Sequence, residues 1–160
     1  MKISEVIILA GGLGTRLREA VPDLPKCLAP VGQQPFLDHV IRYYQQQGVE
    51  RFIFSLGYLH EKIEHYLQEK QPALSAVISL ETEPLGTGGA IRKACALCTQ
   101  PYSLVVNGDT LFQVNVQQIA QACEQTAPDC LLCVKPFRDF DRYGVVELNT
   151  DGTVRSFLEK

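Results

Sequence analysis

Three short segments hold residue types that together handle phosphate. The first is Leu9-Ala10-Gly11-Gly12-Leu13-Gly14-Thr15-Arg16-Leu17, where three glycines free the backbone to turn its N–H groups toward an anion at close range. Arg16 within this loop and Lys26 after Pro25 add two cations, one a planar fork and the other a point charge, that suit a polyphosphate. The second segment is Asn107-Gly108-Asp109, where a carboxylate follows an apolar run and can take a Mg²⁺ ion bridging phosphate oxygens. The third is Glu83-Pro84-Leu85-Gly86-Thr87-Gly88-Gly89-Ala90. Its glycines admit a flat base or a ribose, and Thr87 is placed to cap the helix that follows. A Gly-rich turn with solvated cations and a common Asn-Gly-Asp turn are the plainer alternatives.

Neither of two common nucleotide motifs is met. A dinucleotide fingerprint needs glycine where Leu17 stands, and a phosphate loop needs Gly-Lys-Ser/Thr after four intervening residues. A nicotinamide-dependent dehydrogenase is therefore disfavoured.

The elements that must position these segments alternate. Apolar, β-rich runs at Val6 to Leu9, Arg51 to Leu56, Ala76 to Leu80, Ser103 to Val106 and Cys130 to Val134 interleave with amphipathic stretches at Phe36 to Gln47, His60 to Glu69, Gly88 to Cys98 and Val116 to Thr126. This predicts an α/β fold, a Rossmann-like, mostly parallel sheet with helices on both faces, in which ligands bind beyond the carboxyl ends of the strands. Gly144 to Leu148 and Val154 to Leu158, joined by Asn149-Thr150-Asp151-Gly152, predict a C-terminal antiparallel hairpin. Prolines such as Pro22, Pro25, Pro30, Pro84 and Pro136 are expected in loops, and no boundary divides residues 1–160.

Composition sets the outer bounds. The 160 residues are 46% apolar, enough for one domain with its own core, and the formal charge of -3 gives no basic field for nucleic acid. No basic n-region opens the chain and no apolar run is long enough to span a membrane, so a soluble cytoplasmic protein without membrane contact is expected. The doubled CxxC, Cys95/Cys98 and Cys130/Cys133, has zinc-like spacing. The first pair falls on a helix, however, and strand alternation points the second pair to opposite faces, so all six cysteines are expected as buried, reduced core thiols. His39, His60 and His65 fall on or beside helices and are assigned no place in the site.

In order and spacing, Leu9 to Leu17, Pro25-Lys26-Cys27-Leu28-Ala29-Pro30-Val31, Glu83 to Ala90 and Asn107-Gly108-Asp109 resemble the sugar-phosphate nucleotidyltransferase family, and the likeness extends to the last residue. The resemblance implies that Leu9, Ala10, Gly11, Gly12, Gly14, Thr15, Arg16, Glu83, Gly86, Thr87 and Gly89 line the nucleotide. It implies that Arg16 and Lys26 act catalytically on the phosphates and that Asp109 is a catalytic ligand of Mg²⁺. Asn107, Gly108, Tyr143, Gly144, Glu159 and Lys160 are implied as contacts of the sugar phosphate. Within the family, Val21 to Gly32 and Pro84 to Ala90 are most similar to the branch that transfers a guanylyl group from GTP to a manno-heptose 1-phosphate. Mannose and glucose 1-phosphate enzymes share much of this wording.

The reaction so implied joins a sugar 1-phosphate to a nucleoside triphosphate and releases pyrophosphate. The alternative from another class is a nucleotide-binding module without turnover. The family normally continues past the Glu-Lys pair into the rest of the sugar pocket and a second metal-binding Asp. Residues 1–160 are accordingly expected to be the N-terminal part of a nucleotidyltransferase domain, binding weakly, turning over slowly and self-associating through uncovered apolar surface.

Overall fold

The structure, a computed structural model, describes residues 1–12, 23–138 and 144–158. These form two compact units, Met1–Thr126 and Ala127–Lys160.

The first unit contains a four-stranded sheet in the order β5-β4-β1-β6, made of β1 (Glu5–Leu9), β4 (Arg51–Leu56), β5 (Ser75–Leu80) and β6 (Leu104–Asn107). Every pairing is parallel. Parallel neighbours need long crossovers, which the helices α1 (Phe36–Gln45), α2 (His60–Lys70) and α3 (Gly86–Cys95) provide, and α4 (Val116–Thr126) follows β6. The alternation within β1 shows why the sheet is covered twice. Val6 and Ile8 pack with residues of α1, α2 and α4 on one face, and Ile7 packs with Ala94 of α3 on the other. All three β1 residues have no exposed surface. The expected α/β sheet with helices on both faces is the one observed, and no described helix is long and apolar enough to cross a membrane.

A buried carboxylate ties the amino end of the sheet together. Glu5, only 1% exposed, accepts the Thr99 hydroxyl at 2.6 Å and the N–H groups of Thr99 and Gln100 at 2.9 and 3.1 Å. Arg51 donates to it at 2.7 Å and also to the Leu97 carbonyl at 2.9 Å. Burial alone would raise the pKa of this carboxyl, but the donors from Thr99, Gln100 and Arg51 outweigh that effect and hold it at about 2.

Several expectations are corrected. Cys130 to Val134 is not a strand: a strand exists where a neighbour takes its N–H and C=O groups, and no described residue pairs with this run. Leu132 and Val134 are exposed instead. The cysteines divide. Cys27 and Cys123 are buried, but Cys98 is half-buried and Cys95, Cys130 and Cys133 are exposed, so only two of the six are core thiols. Cys95 ends α3 on its outer side, and the other two sit in the run Cys130 to Val134. Pro30 lies in a two-residue strand, β2 (Pro30–Val31), paired with β3 (Gln34–Pro35) across Gly32, whose φ of +66° supplies the turn.

The second unit contains the expected hairpin, β7 (Val145–Leu148) against β8 (Val154–Leu158). In its turn Asp151 accepts the Thr153 N–H and hydroxyl at 2.9 and 2.7 Å, and Gly152 takes a φ of +83°.

Because the Glu5 pKa is depressed from 4.5 to about 2, the ionised carboxylate contributes stability above pH 4.5 that is lost as the pH falls through about 2. A shift of that size corresponds to roughly 3 kcal/mol. Glu5→Gln is expected to lower unfolding stability at pH 7 by about this amount and to flatten the acid limb between those two values. Urea melts across pH 2–7 measure both, and an unchanged acid limb would contradict the role given to Glu5.

Candidate active site

Since β1, β4, β5 and β6 run the same way, their carboxyl ends open on one edge of the sheet, the place where open α/β sheets bind ligands. A cleft of about 820 Å³ lies there. Each strand end contributes to its lining: Leu9 to Gly12 after β1, Ser55, Gly57, Tyr58 and His60 around the end of β4, Leu80 to Pro84 after β5, and Asn107 with Asp109 at β6. Lys26 and Cys27 complete it from a short 3-10 turn, and Gly86, Thr87 and Ala90 do so from α3.

The glycines do different things. A Cβ on Gly11 would stand 3.1 Å from the Gly57 nitrogen and 3.2 Å from Glu81 Oε1, and one on Gly57 would stand 3.0 Å from the Gly11 carbonyl oxygen. Two backbones thus pass at a distance where a side chain would force its neighbour to give by a few tenths of an ångström. No described residue comes within 4 Å of a Cβ on Gly12, which leaves its face of the loop available to a ligand. Gly86 has a φ of +69°, a conformation that lets the chain turn into α3. Gly89 and Gly108 serve packing and do not line the cleft. At Gly89 a Cβ would lie 2.8 Å from the Leu85 side chain; at Gly108 it would lie 3.2 Å from both Ala10 and Ile8.

Glu81 organises the side of the cleft next to Gly11 and the end of β4. Its carboxylate accepts the Ser55 hydroxyl and the Leu85 N–H, each at 3.2 Å, so it ties the end of β4 to the turn before α3. Leu85 is the residue that precedes α3, and no side chain caps the helix there; Thr87 lies inside the first turn and is not the cap.

On the other side, Lys26 Nζ lies 3.7 Å from Asp109 Oδ2. Both groups keep solvent access, with side chains 31% and 42% exposed. The turn that carries Lys26 is anchored by the buried Cys27 and Leu28, which leaves the lysine to project. Burial pushes the Cys27 thiol up to about 12, and the nearby Asp109 charge adds to the shift. A carboxylate beside an amide oxygen donor, Asn107, is a hard-oxygen environment that suits Mg²⁺.

Of the expected site residues, Leu9, Ala10, Gly11, Gly12, Lys26, Glu83, Gly86, Thr87, Asn107 and Asp109 line this one cleft. Gly14, Thr15, Arg16, Tyr143, Glu159 and Lys160 lie outside the described residues. Gly144 belongs to the second unit, where a Cβ would stand 3.1 Å from the Leu158 carbonyl oxygen. Sequence reasoning missed Ser55, Gly57, Tyr58, His60 and Glu81. His60 corrects the expectation that no histidine reaches the site: it heads α2 at the cleft wall, with Nδ1 2.8 Å from Glu64 and Nε2 3.2 Å from Glu61. The rule that ligands sit beyond strand ends, applied to Leu56 as it was to Leu9 and Asn107, would have found these residues.

Residues 5–160 match the family described as nucleotidyl transferase. The chain is 44% identical to D-glycero-alpha-D-manno-heptose 1-phosphate guanylyltransferase of Aneurinibacillus thermoaerophilus, over 98% of this chain and 67% of that protein. It is 36% identical to the Campylobacter jejuni protein of the same name, over 98% of this chain and 68% of the relative. Among solved structures, HddC from Yersinia pseudotuberculosis complexed with GMP-PN superposes with a TM-score of 0.76 at 32% identity, covering 99% of this chain and 70% of that one.

Gly11→Ala and Gly12→Ala separate fold from ligand access. The methyl at Gly11 is crowded at 3.1 Å by the Gly57 backbone, and its variant is expected to lose about 1–3 kcal/mol in urea unfolding. The Gly12 variant is expected to stay within about 0.5 kcal/mol of the parent. Equal stabilities for the two variants would overturn the close approach of Gly11 to Gly57.

Proposed function

The chain belongs to the nucleotidyl transferase family, and from that membership we propose that it is a sugar-1-phosphate nucleotidyltransferase, joining a sugar 1-phosphate to a nucleoside triphosphate to give a nucleotide sugar and pyrophosphate. The observation that carries this reading is the gathering of the glycine loop, Lys26, Asp109 and the Glu83 to Ala90 segment around one cleft. GTP and a manno-heptose 1-phosphate are the substrates we assign, in keeping with the names of the Aneurinibacillus and Campylobacter relatives. Chemistry in the cleft supports the base: Glu81 and Glu83 are acceptors only, and guanine offers the paired N1–H and N2–H₂ donors that uracil and thymine lack.

An oxygen of the sugar phosphate attacks the α-phosphorus while the bond to pyrophosphate breaks in line, and the electron pair leaves with pyrophosphate. No side-chain nucleophile takes part, and Cys27, with a pKa of about 12, is protonated at working pH and unfit for that role. The work left to the protein is positioning and charge stabilisation. Lys26 meets the phosphates from the cleft wall, and Arg16 is assigned the same task from the glycine loop. Asp109 would hold Mg²⁺, aided by Asn107; when bound, the ion neutralises phosphate charge. Tyr143, Glu159 and Lys160 are assigned to the sugar phosphate on the family pattern. The reaction is placed in the cytoplasm, and exposed apolar side chains such as Phe157 and Leu158 support self-association.

Pyrophosphate release with GTP and a panel of sugar 1-phosphates tests the reading, and binding without release would favour the non-catalytic module. GTP is expected to outperform UTP, dTTP, CTP and ATP; comparable turnover with dTTP would remove the base assignment. Arg16→Ala and Asp109→Asn are each expected to cut kcat/KM by about 10²-fold or more with melting temperatures unchanged. A Mg²⁺ titration indistinguishable from that of the parent would exclude Asp109 as the ligand.

A further inference from the structure

The cleft is sorted by charge. Among its described lining residues Lys26 is the one Lys or Arg, and it comes from the segment after β1, facing Asp109 from β6. The opposite wall carries Glu81 and Glu83 after β5 and His60 at the start of α2, whose two ring nitrogens face Glu64 and Glu61 behind the wall. A triphosphate is drawn to the Lys26 side and repelled from the other, which leaves the β4–β5 side for the uncharged nucleoside.

Tyr58 stands on that side. The strand order β5-β4-β1-β6 puts the end of β4 between the glycine loop and the Glu81 to Thr87 segment, so Tyr58 lies between the two segments that flank the nucleoside. It is the one Phe, Tyr or Trp among the described lining residues, and at 41% exposure it keeps much of its surface open. The backbone beside it is held in an uncommon shape. Leu59 has φ 57° and ψ 31°, a left-handed conformation that a bulky side chain adopts at a cost. What holds it is α2, which begins at the next residue and buries Ile63 and Leu67 in the core. This turn lets the chain leave β4, place Tyr58 at the cleft and enter the helix within three residues.

We propose that Tyr58 supplies an aromatic face against which the base of the bound nucleoside triphosphate stacks, an assignment that rests on the functional reading above. Stacking of a base on an aromatic side chain is tolerant of base identity, so Tyr58 sets nucleoside affinity while the acceptors Glu81 and Glu83 set preference.

The test uses the full chain with GTP and, as a phosphate-only probe, inorganic tripolyphosphate. Tyr58→Ala is expected to weaken GTP binding about 5- to 100-fold and to leave tripolyphosphate binding unchanged, while Tyr58→Phe retains both. The chain has no tryptophan, so Tyr58→Trp places a single reporter at the site, and its emission is expected to be quenched by GTP and not by tripolyphosphate. Unaltered GTP affinity in Tyr58→Ala, a proportional loss for both ligands, or emission insensitive to saturating GTP would each overturn the stacking role. If the unaltered chain binds no nucleoside triphosphate, the functional reading itself is overturned and this inference with it.

Discussion

The hydrogen-bond ladder of β1 does not stop where the strand does. Its residues pair with β4 on one edge and β6 on the other, and the pattern runs on into the loops: the Ala10 N–H reaches the Ser55 carbonyl at 2.9 Å and the Gly108 N–H reaches the Leu9 carbonyl at 2.8 Å. On the far edge of β4 the Glu81 N–H does the same to Leu56 at 2.8 Å. Three loop openings are thereby fixed by backbone bonds between neighbouring strands, and the side chains that face the cleft inherit that rigidity. Gly11, Gly57 and Gly108 lie where the loops pass closely, a Cβ there meeting its nearest neighbour at 3.1, 3.0 and 3.2 Å.

The two ends of the sheet serve different ends. At the amino end, Glu5 is saturated with donors from Thr99, Gln100 and Arg51, an arrangement that costs desolvation and returns a rigid junction between β1, β4 and the segment after α3. At the carboxyl end, Lys26 and Asp109 stay partly solvated and 3.7 Å apart, a loose pair that a ligand can rearrange. Satisfied charge holds the fold together at one end, and incompletely satisfied charge is available for chemistry at the other.

What the sequence revealed and what it concealed follow the range of the forces involved. Arg51–Leu56 and Val116–Thr126 were legible to the residue because local periodicity and burial agree there. Cys130 to Val134 has the same apolar, β-prone look and forms no strand, because pairing depends on a neighbour that periodicity does not report. The glycines were visible as a class, but their roles were not: Gly12 has no described residue within 4 Å of its Cβ position, whereas Gly89 and Gly108 accommodate neighbours, and only tertiary distances tell the cases apart. His60 and Tyr58 were hidden for a related reason. A helix that starts at a strand end puts its first residues in the cleft, although nothing in their types announces it.

The uneven burial of the cysteines has a bearing on chemical labelling. Cys27 forms part of the cleft yet is only 2% exposed and is held protonated up to about pH 12, so an electrophile entering the cleft meets no thiolate there. Cys95, Cys130 and Cys133 are open to solvent. A maleimide dye or spin label on Cys95, at the other end of α3 from the cleft-lining Gly86 and Thr87, should therefore leave the cleft unblocked, while cysteine-directed covalent inhibitors would find no purchase at Cys27.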